Sequence, residues 1–253
     1  MQKQYAILKR TITGLLATLI ITGATMRVDV AAAPVAKNCN PVSFLASVWQ
    51  DLLGRDITPS EKASMLDFLD SGGSRAQVAQ TVINSVECRT KLAQSLFQQF
   101  LGRAATQTEV NLFSSALQQG VTVEQLIAVI VGSDEYYQNR GGGTNNGFLE
   151  QLYNDLLGRP IDEGSLASFT DLLNRGGSRP QVALFILSSS EYRYNQIQSF
   201  FKSFLGRQAS DSEINFFLAI WQQGARREQI IAQIIGSPEY CELAGRTPHG
   251  HHS

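Results

Sequence analysis

Apolar residues recur along this chain with the period of an α-helix. Before Gly54 they stand in pairs four residues apart: Phe44 and Leu45, Val48 and Trp49, Leu52 and Leu53. Similar patterns precede Gly102, Gly158 and Gly206. A spacing near 3.6 residues places these side chains on one helix face. We therefore predict a helix that stops at each of these glycines, where the missing Cβ permits a positive φ.

Each of these glycines belongs to a Leu-Gly-Arg motif, which occurs four times. The separations between the four glycines are 48, 56 and 48 residues. The first and third motifs, like the second and fourth, are therefore 104 residues apart. This spacing indicates a repeat of about 48 residues in four copies, arranged as two pairs.

Two more helices are predicted in each copy. Capping boxes open the second helix at Thr58–Glu61, Thr106–Glu109 and Ser210–Glu213, with Asp162 as N-cap in the third copy. Similar boxes open the third helix, and a Ser-x-Glu motif then begins the helix that leads to the next copy. Runs such as LIAVIVGS have strand propensity, but their spacing and caps favour buried helices. We predict an all-α fold of tandem three-helix repeats.

The eight extra residues between the second and third copies fall in the stretch NRGGGTNNG, residues 139–147. This stretch contains no apolar residue and is rich in glycine and asparagine, which is typical of a flexible linker. We therefore predict a helical domain of two repeats at 40–138 and a second one at 148–244. Residues 245–253 form a histidine-containing tail.

Residues 1–33 have the pattern of a signal peptide. Lys3, Lys9 and Arg10 precede an apolar segment, TITGLLATLIITGATM, and small residues follow it. The apolar segment is short for a membrane span, which needs about 20 residues. We expect an exported protein, periplasmic or extracellular, with no membrane span in the mature chain. An inner-membrane anchor formed by an uncleaved signal is the alternative.

Three cysteines follow the predicted signal: Cys39, Cys88 and Cys241. In an exported protein an odd number leaves one pair and a spare, or a bond between chains. We predict Cys39–Cys241 as the intrachain disulfide, provided that the two halves fold back on each other. An intermolecular bond through Cys88 is the competing prediction.

Composition narrows the function classes. The net charge is −1 at pH 7, without the clustered basic face that nucleic-acid binding requires. The three histidines, His249, His251 and His252, all stand in the tail, where they are a weak candidate for binding a transition metal. An imidazole base is thus excluded from the repeats, and phosphate loops, H-E-x-x-H and calcium loops are not found. We predict a protein that is not an enzyme and uses no cofactor.

The arginines of the four motifs admit two interpretations. Each follows a helix end, where its guanidinium could bind terminal carbonyls or a Ser-x-Glu glutamate, which is the structural interpretation. In the functional interpretation the four arginines form a surface that binds an acidic partner: Arg55, Arg103, Arg159 and Arg207. Tyr137 and Tyr194 are the aromatic residues that we expect to be available for contacts.

The motifs resemble those of a bacterial family, domain of unknown function 4214, in tandem copies. The segments SDEYYQ, SSEYRY and SPEYCE carry this resemblance together with the Leu-Gly-Arg cores, and it covers nearly all of residues 42–242. The first copy departs from it, with Cys88 where the others have tyrosine. A fainter similarity runs to phycobilisome linker domains. The resemblance implies an all-helical module of exported and surface proteins, with no established catalytic residues to carry over.

We therefore expect a non-catalytic interaction or structural module of the cell envelope or extracellular space, with a protein partner. The alternative is a polysaccharide-binding accessory protein, which would need aromatic side chains on a solvent face. Trp49 and Trp221 stand at core positions of their helices and count against it, whereas Tyr137 and Tyr194 could serve.

Overall fold

The computed structural model of this chain describes residues 39–245. The predicted signal peptide at 1–33 and the tail histidines His249, His251 and His252 lie outside the described residues. From residue 39 to 245 the chain forms fourteen α-helices and no strand, which confirms the all-α prediction. None of these fourteen helices combines the length and the apolar character that crossing a bilayer requires.

One order of three helices recurs four times along the chain, and the first helix of a copy has 13 or 16 residues. The first copy contains α1 (Pro41–Leu53), α2 (Pro59–Asp70) and α3 (Arg75–Ile83). The second contains α4 (Val86–Leu101), α5 (Gln107–Gln118) and α6 (Val123–Val131), followed by the short α7 (Asp134–Asn139). The third contains α8 (Asn145–Leu157), α9 (Glu163–Asn174) and α10 (Arg179–Leu187). The fourth contains α11 (Ser190–Leu205), α12 (Asp211–Gln222) and α13 (Arg227–Ile235), followed by the short α14 (Pro238–Ala244).

The capping boxes and the Leu-Gly-Arg glycines mark helix starts and ends where predicted. At the start of α2, the Thr58 hydroxyl accepts a hydrogen bond from the Glu61 N–H, and the Glu61 carboxylate accepts one from the Thr58 N–H. The same reciprocal bonds open α5 and α12. The glycines of the four Leu-Gly-Arg motifs have φ between 59° and 69°, the left-handed conformation that ends a helix.

The run LIAVIVGS is helical despite its strand propensity. Its residues 126–131 lie in α6, in which seven of nine residues are buried. A helix that is apolar on almost every side belongs in a core, so burial outweighs intrinsic preference here.

The described residues form two compact units. Unit 1 comprises residues 89–195, and unit 2 comprises residues 39–88 together with 196–245. Each unit has its own hydrophobic core, centred in unit 1 on Phe113, Leu126 and Phe148, and in unit 2 on Phe44 and Ile230. The boundaries between the units fall within α4 and α11.

This division differs from the predicted domains at 40–138 and 148–244. In unit 1 the second copy packs against the third, with α6 against α10. In unit 2 the first copy packs against the fourth, with α3 against α13. The spacing of the copies suggests pairing of the first with the second and of the third with the fourth, whereas the third helices of the second and third copies, and those of the first and fourth, are in contact.

The stretch 139–147 is a tight turn inside unit 1 instead of a linker between two domains. Helix α7 ends at Asn139 and α8 begins at Asn145, so part of the stretch is helical. Gly141 is buried, and a Cβ there would lie 2.7 Å from the Cα of Phe148. Gly142 and Gly143 have φ of 62° and 71°. Gly141 thus permits the close approach of Phe148, and Gly142 and Gly143 adopt left-handed backbone conformations. The abundance of glycine does not indicate flexibility here.

Candidate functional site

The arginine of each Leu-Gly-Arg motif binds the glutamate of the Ser-x-Glu motif that closes the same copy. In the fourth copy, Arg207 Nε donates to Glu239 Oε1 at 2.6 Å and Nη2 donates to Oε2 at 2.6 Å. This two-point geometry is the strong form of the arginine–carboxylate pair. It recurs in the other three copies at the same separation of 32 residues: Arg55–Glu87, Arg103–Glu135 and Arg159–Glu191.

Three of the four arginines also bind a second carboxylate. Arg103 Nη1 and Nη2 donate to Glu109 at 3.0 and 2.8 Å, and Glu109 accepts from the Thr106 N–H at 2.7 Å. Arg55 and Arg207 bind their capping-box glutamates in the same way. One guanidinium thus joins the end of one helix to the N-termini of two others, which supports the structural interpretation of these arginines.

Sequence reasoning identified the Ser-x-Glu partners but missed the capping-box glutamates. The signal was a glutamate six residues after the arginine in three copies. Its role in the cap had already been assigned, and one carboxylate can serve both the cap and the arginine because it has two oxygens.

An aromatic ring lies beneath three of the guanidinium groups. The Cζ atoms of Arg103, Arg159 and Arg207 lie 5.1, 5.2 and 5.1 Å from the ring centroids of Phe97, Tyr153 and Phe201, respectively. These distances are within the range of cation–π attraction. The ring and the carboxylates together fix the orientation of each guanidinium.

The paired charges shift the acidity of these carboxylates. Hydrogen bonds from Arg207 lower the pKa of Glu213 to about 2, and those from Arg55 lower the pKa of Glu61 further. Burial raises the pKa of Glu109, but the hydrogen bonds from Arg103 and Thr106 outweigh it, and the net shift is downward. The carboxylates therefore stay ionised well below neutral pH.

The third copy departs from this arrangement. Ser165 occupies the position of the capping-box glutamate, and Asp162 caps α9 by accepting the Ser165 N–H at 2.9 Å. The Asp162 carboxylate lies 3.8 Å from Arg159 Nη1, which donates to the carbonyl of Pro160. Arg159 therefore has one close carboxylate partner, Glu191, where the other three arginines have two. Its side chain is 40% exposed.

Tyr194 lies on the same helix as Glu191, three residues further on. Residues three apart on a helix face the same side, about 5–6 Å from each other. Tyr194 is 44% exposed. Arg159, Glu191 and Tyr194 thus form one surface of unit 1, which we call the Arg159 surface. Glu191 links two of the predicted contact residues, since it binds Arg159 and lies one helical turn before Tyr194.

Tyr137 has a different environment. Its ring packs against Phe148, the Arg179 guanidinium lies 4.4 Å above it, and its hydroxyl bonds to Asn145 at 3.3 Å. Tyr137 is half-buried and covers the turn between α7 and α8 in unit 1. Its surroundings are those of a packing residue.

Cys39 and Cys241 form a disulfide in unit 2, with their Cα atoms 5.4 Å apart. Cys88 takes no part in this bond and packs, partly buried, against the core of unit 2. Between residues 39 and 245 no group of three or more histidine, cysteine or acidic side chains is arranged to hold a metal ion.

Residues 129–196 match the model of a family described as Domain of unknown function (DUF4214). The match confirms the resemblance to that family over a stretch that contains the whole Arg159 surface. Further tandem copies and the similarity to phycobilisome linker domains stay predictions. No curated protein and no solved structure matches the chain.

Proposed function

We propose that this chain, which carries a DUF4214 match at residues 129–196, is a non-catalytic interaction module of the cell envelope or extracellular space. In this proposal four tandem copies of the domain form a helical scaffold, and the signal at 1–33 directs its export. The Arg159 surface contacts a protein partner that presents an acidic side chain.

The asymmetry among the four arginines carries this proposal. Arg55, Arg103 and Arg207 are each held by two glutamates, which satisfy the guanidinium within the fold. At Arg159 the second glutamate is replaced by Ser165, and Asp162 approaches Nη1 only to 3.8 Å. In this proposal a carboxylate of the partner takes the place of that second glutamate. An arginine presented in this way binds a carboxylate in a planar, two-point geometry.

Tyr194 supports the same surface. Tyrosine and arginine are enriched at the centres of protein–protein interfaces, because each combines a large contact area with hydrogen-bonding groups. The ring lies one helical turn from Glu191, which itself orients Arg159. The partner that fits this surface therefore presents two neighbouring groups: an acidic side chain that binds Arg159 and an apolar side chain that packs against Tyr194.

The sharpest test restores the missing glutamate. Asp162→Thr combined with Ser165→Glu reproduces the second-copy residues Thr106 and Glu109. We expect this double variant to lose its co-sedimentation with the cell-envelope fraction of the source cells. Its melting temperature should rise, because Arg159 gains a second carboxylate partner within the fold. Binding equal to that of the unmodified chain would contradict a role for Arg159.

The matched control makes the reverse exchange in the second copy. Thr106→Asp combined with Glu109→Ser gives Arg103 the environment of Arg159. This variant should lose some thermal stability and keep its envelope binding, since the Arg159 surface is untouched. The comparison separates a binding role from a general loss of stability.

Exposure of the Tyr194 ring also fits the alternative, a polysaccharide-binding accessory protein. Digesting the envelope fraction with protease before co-sedimentation distinguishes the two. Binding that disappears after digestion supports the protein partner. Binding that survives digestion and is lost in Tyr194→Ala would support polysaccharide.

A further inference from the structure

Unit 2 has the helices of unit 1 in a different chain order. In unit 1, α4 to α7 precede α8 to α10 in the chain. Subtracting 104 residues from α8 to α10 gives α1 to α3, and adding 104 to the second half of α4 through α7 gives the second half of α11 through α14. Unit 2 is therefore built as a circular permutation of unit 1, and its two parts are the opposite ends of the described chain.

The contacts between the two parts are equivalent in both units. In unit 1 the Tyr136 hydroxyl donates to Asp155 at 2.8 Å, and its ring lies edge-on to Phe148 with the centroids 6.0 Å apart. In unit 2 the Tyr240 hydroxyl donates to Asp51 at 2.7 Å, and its ring lies edge-on to Phe44, also at 6.0 Å. The contacts between α14 and α1 are thus the same as those between α7 and α8. In unit 1 a short turn joins the two helices, whereas in unit 2 no short connection does.

The disulfide stands where unit 1 has its turn. In unit 1 the chain passes from α7 to α8 through residues 140–144, and the Gly143 N–H donates to the Tyr137 carbonyl at 3.0 Å. The positions that correspond to Gly143 and Tyr137 at an offset of 104 are Cys39 and Cys241. These are the two residues that form the disulfide. A covalent bond across 202 residues of sequence replaces a turn of five.

We infer that the Cys39–Cys241 disulfide is a redox clasp, which closes unit 2 when oxidised and releases α14 from α1 when reduced. Helix α14 has seven residues, too few to be stable as an isolated helix in water. It packs against α1 and α13, and its attachment to α1 depends on the disulfide and on Tyr240. Unit 1 needs no clasp, because its corresponding helices are joined by the chain itself.

The environment of the two sulfurs sets the course of reduction. Cys241 is fully buried, whereas Cys39 is partly exposed and lies two residues before α1. A thiolate of a dithiol reductant therefore attacks Cys39 Sγ, forms a mixed disulfide with it and expels the Cys241 thiolate, which takes up a proton. The second thiol of the reductant then attacks the reductant's sulfur atom in the mixed disulfide. This closes a disulfide within the reductant and expels the Cys39 thiolate. Overall, two electrons and two protons pass to the protein, and the reductant becomes a disulfide.

Arg75 favours the second step. Its Nη1 lies 3.3 Å from Cys39 Sγ, and a neighbouring guanidinium stabilises a cysteine thiolate. The corresponding residue of unit 1, Arg179, instead pairs with Asp134. At the position of Asp134, unit 2 has Pro238, so the arginine of the first copy faces sulfur where that of the third faces a carboxylate.

Hydrogen–deuterium exchange on the full mature chain tests this inference, with α7 and α8 as the internal reference. On reduction with dithiothreitol we expect exchange in α14 to accelerate at least about tenfold, with a smaller acceleration in the first turn of α1 and little change in α7 or α8. Oxidation with glutathione disulfide should restore the slow exchange. Exchange in α14 that stays as slow after complete reduction would overturn the clasp.

Two variants guard against effects of the reductant itself. Cys39→Ser without reductant should show the exchange pattern of the reduced chain. Cys88→Ser keeps the pair and should respond to dithiothreitol like the unmodified chain. Disulfide mapping of the oxidised protein that paired Cys88, or that joined two chains, would also overturn the inference.

Discussion

The Tyr240 hydroxyl donates a hydrogen bond to Asp51 across 189 residues, whereas the same bond in unit 1, from Tyr136 to Asp155, spans 19. Both tyrosines are buried, and both bonds are shorter than 2.9 Å. The geometry of this contact is thus independent of how the chain connects its two helices. Side-chain complementarity between α14 and α1, or between α7 and α8, is sufficient to specify it.

This pair predicts the behaviour of the protein in alkali. Burial raises the pKa of Tyr240 above its ordinary value, and the neighbouring Asp51 charge raises it further. A raised pKa contributes stability that is present below about pH 10, the unfolded value, and is lost at higher pH. Tyr240→Phe should lower the unfolding free energy by about 1–2 kcal/mol at pH 7 and reduce the loss of stability above pH 10. Denaturant titrations from pH 7 to 11 measure both effects, and a variant with an unchanged alkaline slope would contradict the assignment.

The capping-box glutamates predict a loss of stability in acid. Arg207 holds the pKa of Glu213 at about 2, below the value of roughly 4.3 expected in the unfolded chain. A lowered pKa contributes stability that is present above the unfolded value and is lost as the pH falls towards the folded one. The melting temperature should therefore fall between about pH 4.5 and 2. Glu213→Gln should have a lower melting temperature than the unmodified chain at pH 7, and its melting temperature should fall less between about pH 4.5 and 2. An equal fall in both proteins would assign the acid sensitivity to other groups.

The number of carboxylate partners predicts a difference between two conservative substitutions. Lysine cannot reproduce the forked geometry of arginine, so Arg207→Lys should weaken its bonds to both Glu213 and Glu239. We expect a decrease of about 0.5–1 kcal/mol in unfolding free energy, a modest value because the pairs are partly exposed. Arg159→Lys should lower the unfolding free energy less, because Arg159 has hydrogen bonds to one carboxylate, that of Glu191, and only a longer contact of 3.8 Å with Asp162. Urea denaturation at low ionic strength compares the two, and a larger loss at Arg159 would contradict this account.

Close packing of third helices predicts an effect of a single methyl group. A Cβ on Gly132 would lie 2.5 Å from Pro180 Cγ and 2.7 Å from its backbone nitrogen, so α6 and α10 could not keep their present distance. Gly132→Ala should therefore lower the unfolding free energy by about 1–3 kcal/mol.

Gly164 in α9 provides the control for this substitution. The nearest atom to a Cβ there is 3.5 Å away, and alanine has the higher helix propensity. Gly164→Ala should leave the melting temperature unchanged or slightly raised. Equal losses of stability in Gly132→Ala and Gly164→Ala would show that the short distance between α6 and α10 is not the reason for glycine at position 132.

Local structure was largely predictable from the sequence, because its causes are local. The caps at Thr58, Thr106 and Ser210 and the stop at Gly54 follow from a few adjacent residues, and the structure has them where expected. Pairing of the copies was not predictable in the same way. It depends on which third helices share a core, and α3, α6, α10 and α13 are all apolar enough to be partners of one another.

Part of the candidate site was predictable for the same reason. The Ser-x-Glu glutamate stands 32 residues from each arginine, and charge alone suggested it as a partner. The significance of Ser165 emerged only once the second carboxylate of the other three junctions was known. Tyr137 shows the opposite case, because nothing in its own sequence neighbourhood reveals that Arg179 covers its ring.

Because unit 2 is assembled from the two ends of the described chain, these two ends bind each other. Residues 39–88 and residues 196–245 each present a face that the other completes, and a second copy of the chain offers the same faces. With the clasp closed, each chain satisfies its own ends. With the clasp open, closure within one chain competes with exchange between chains, and the outcome depends on protein concentration. We expect a reduced, concentrated sample to contain reciprocally exchanged dimers, and dilution to return them to monomers.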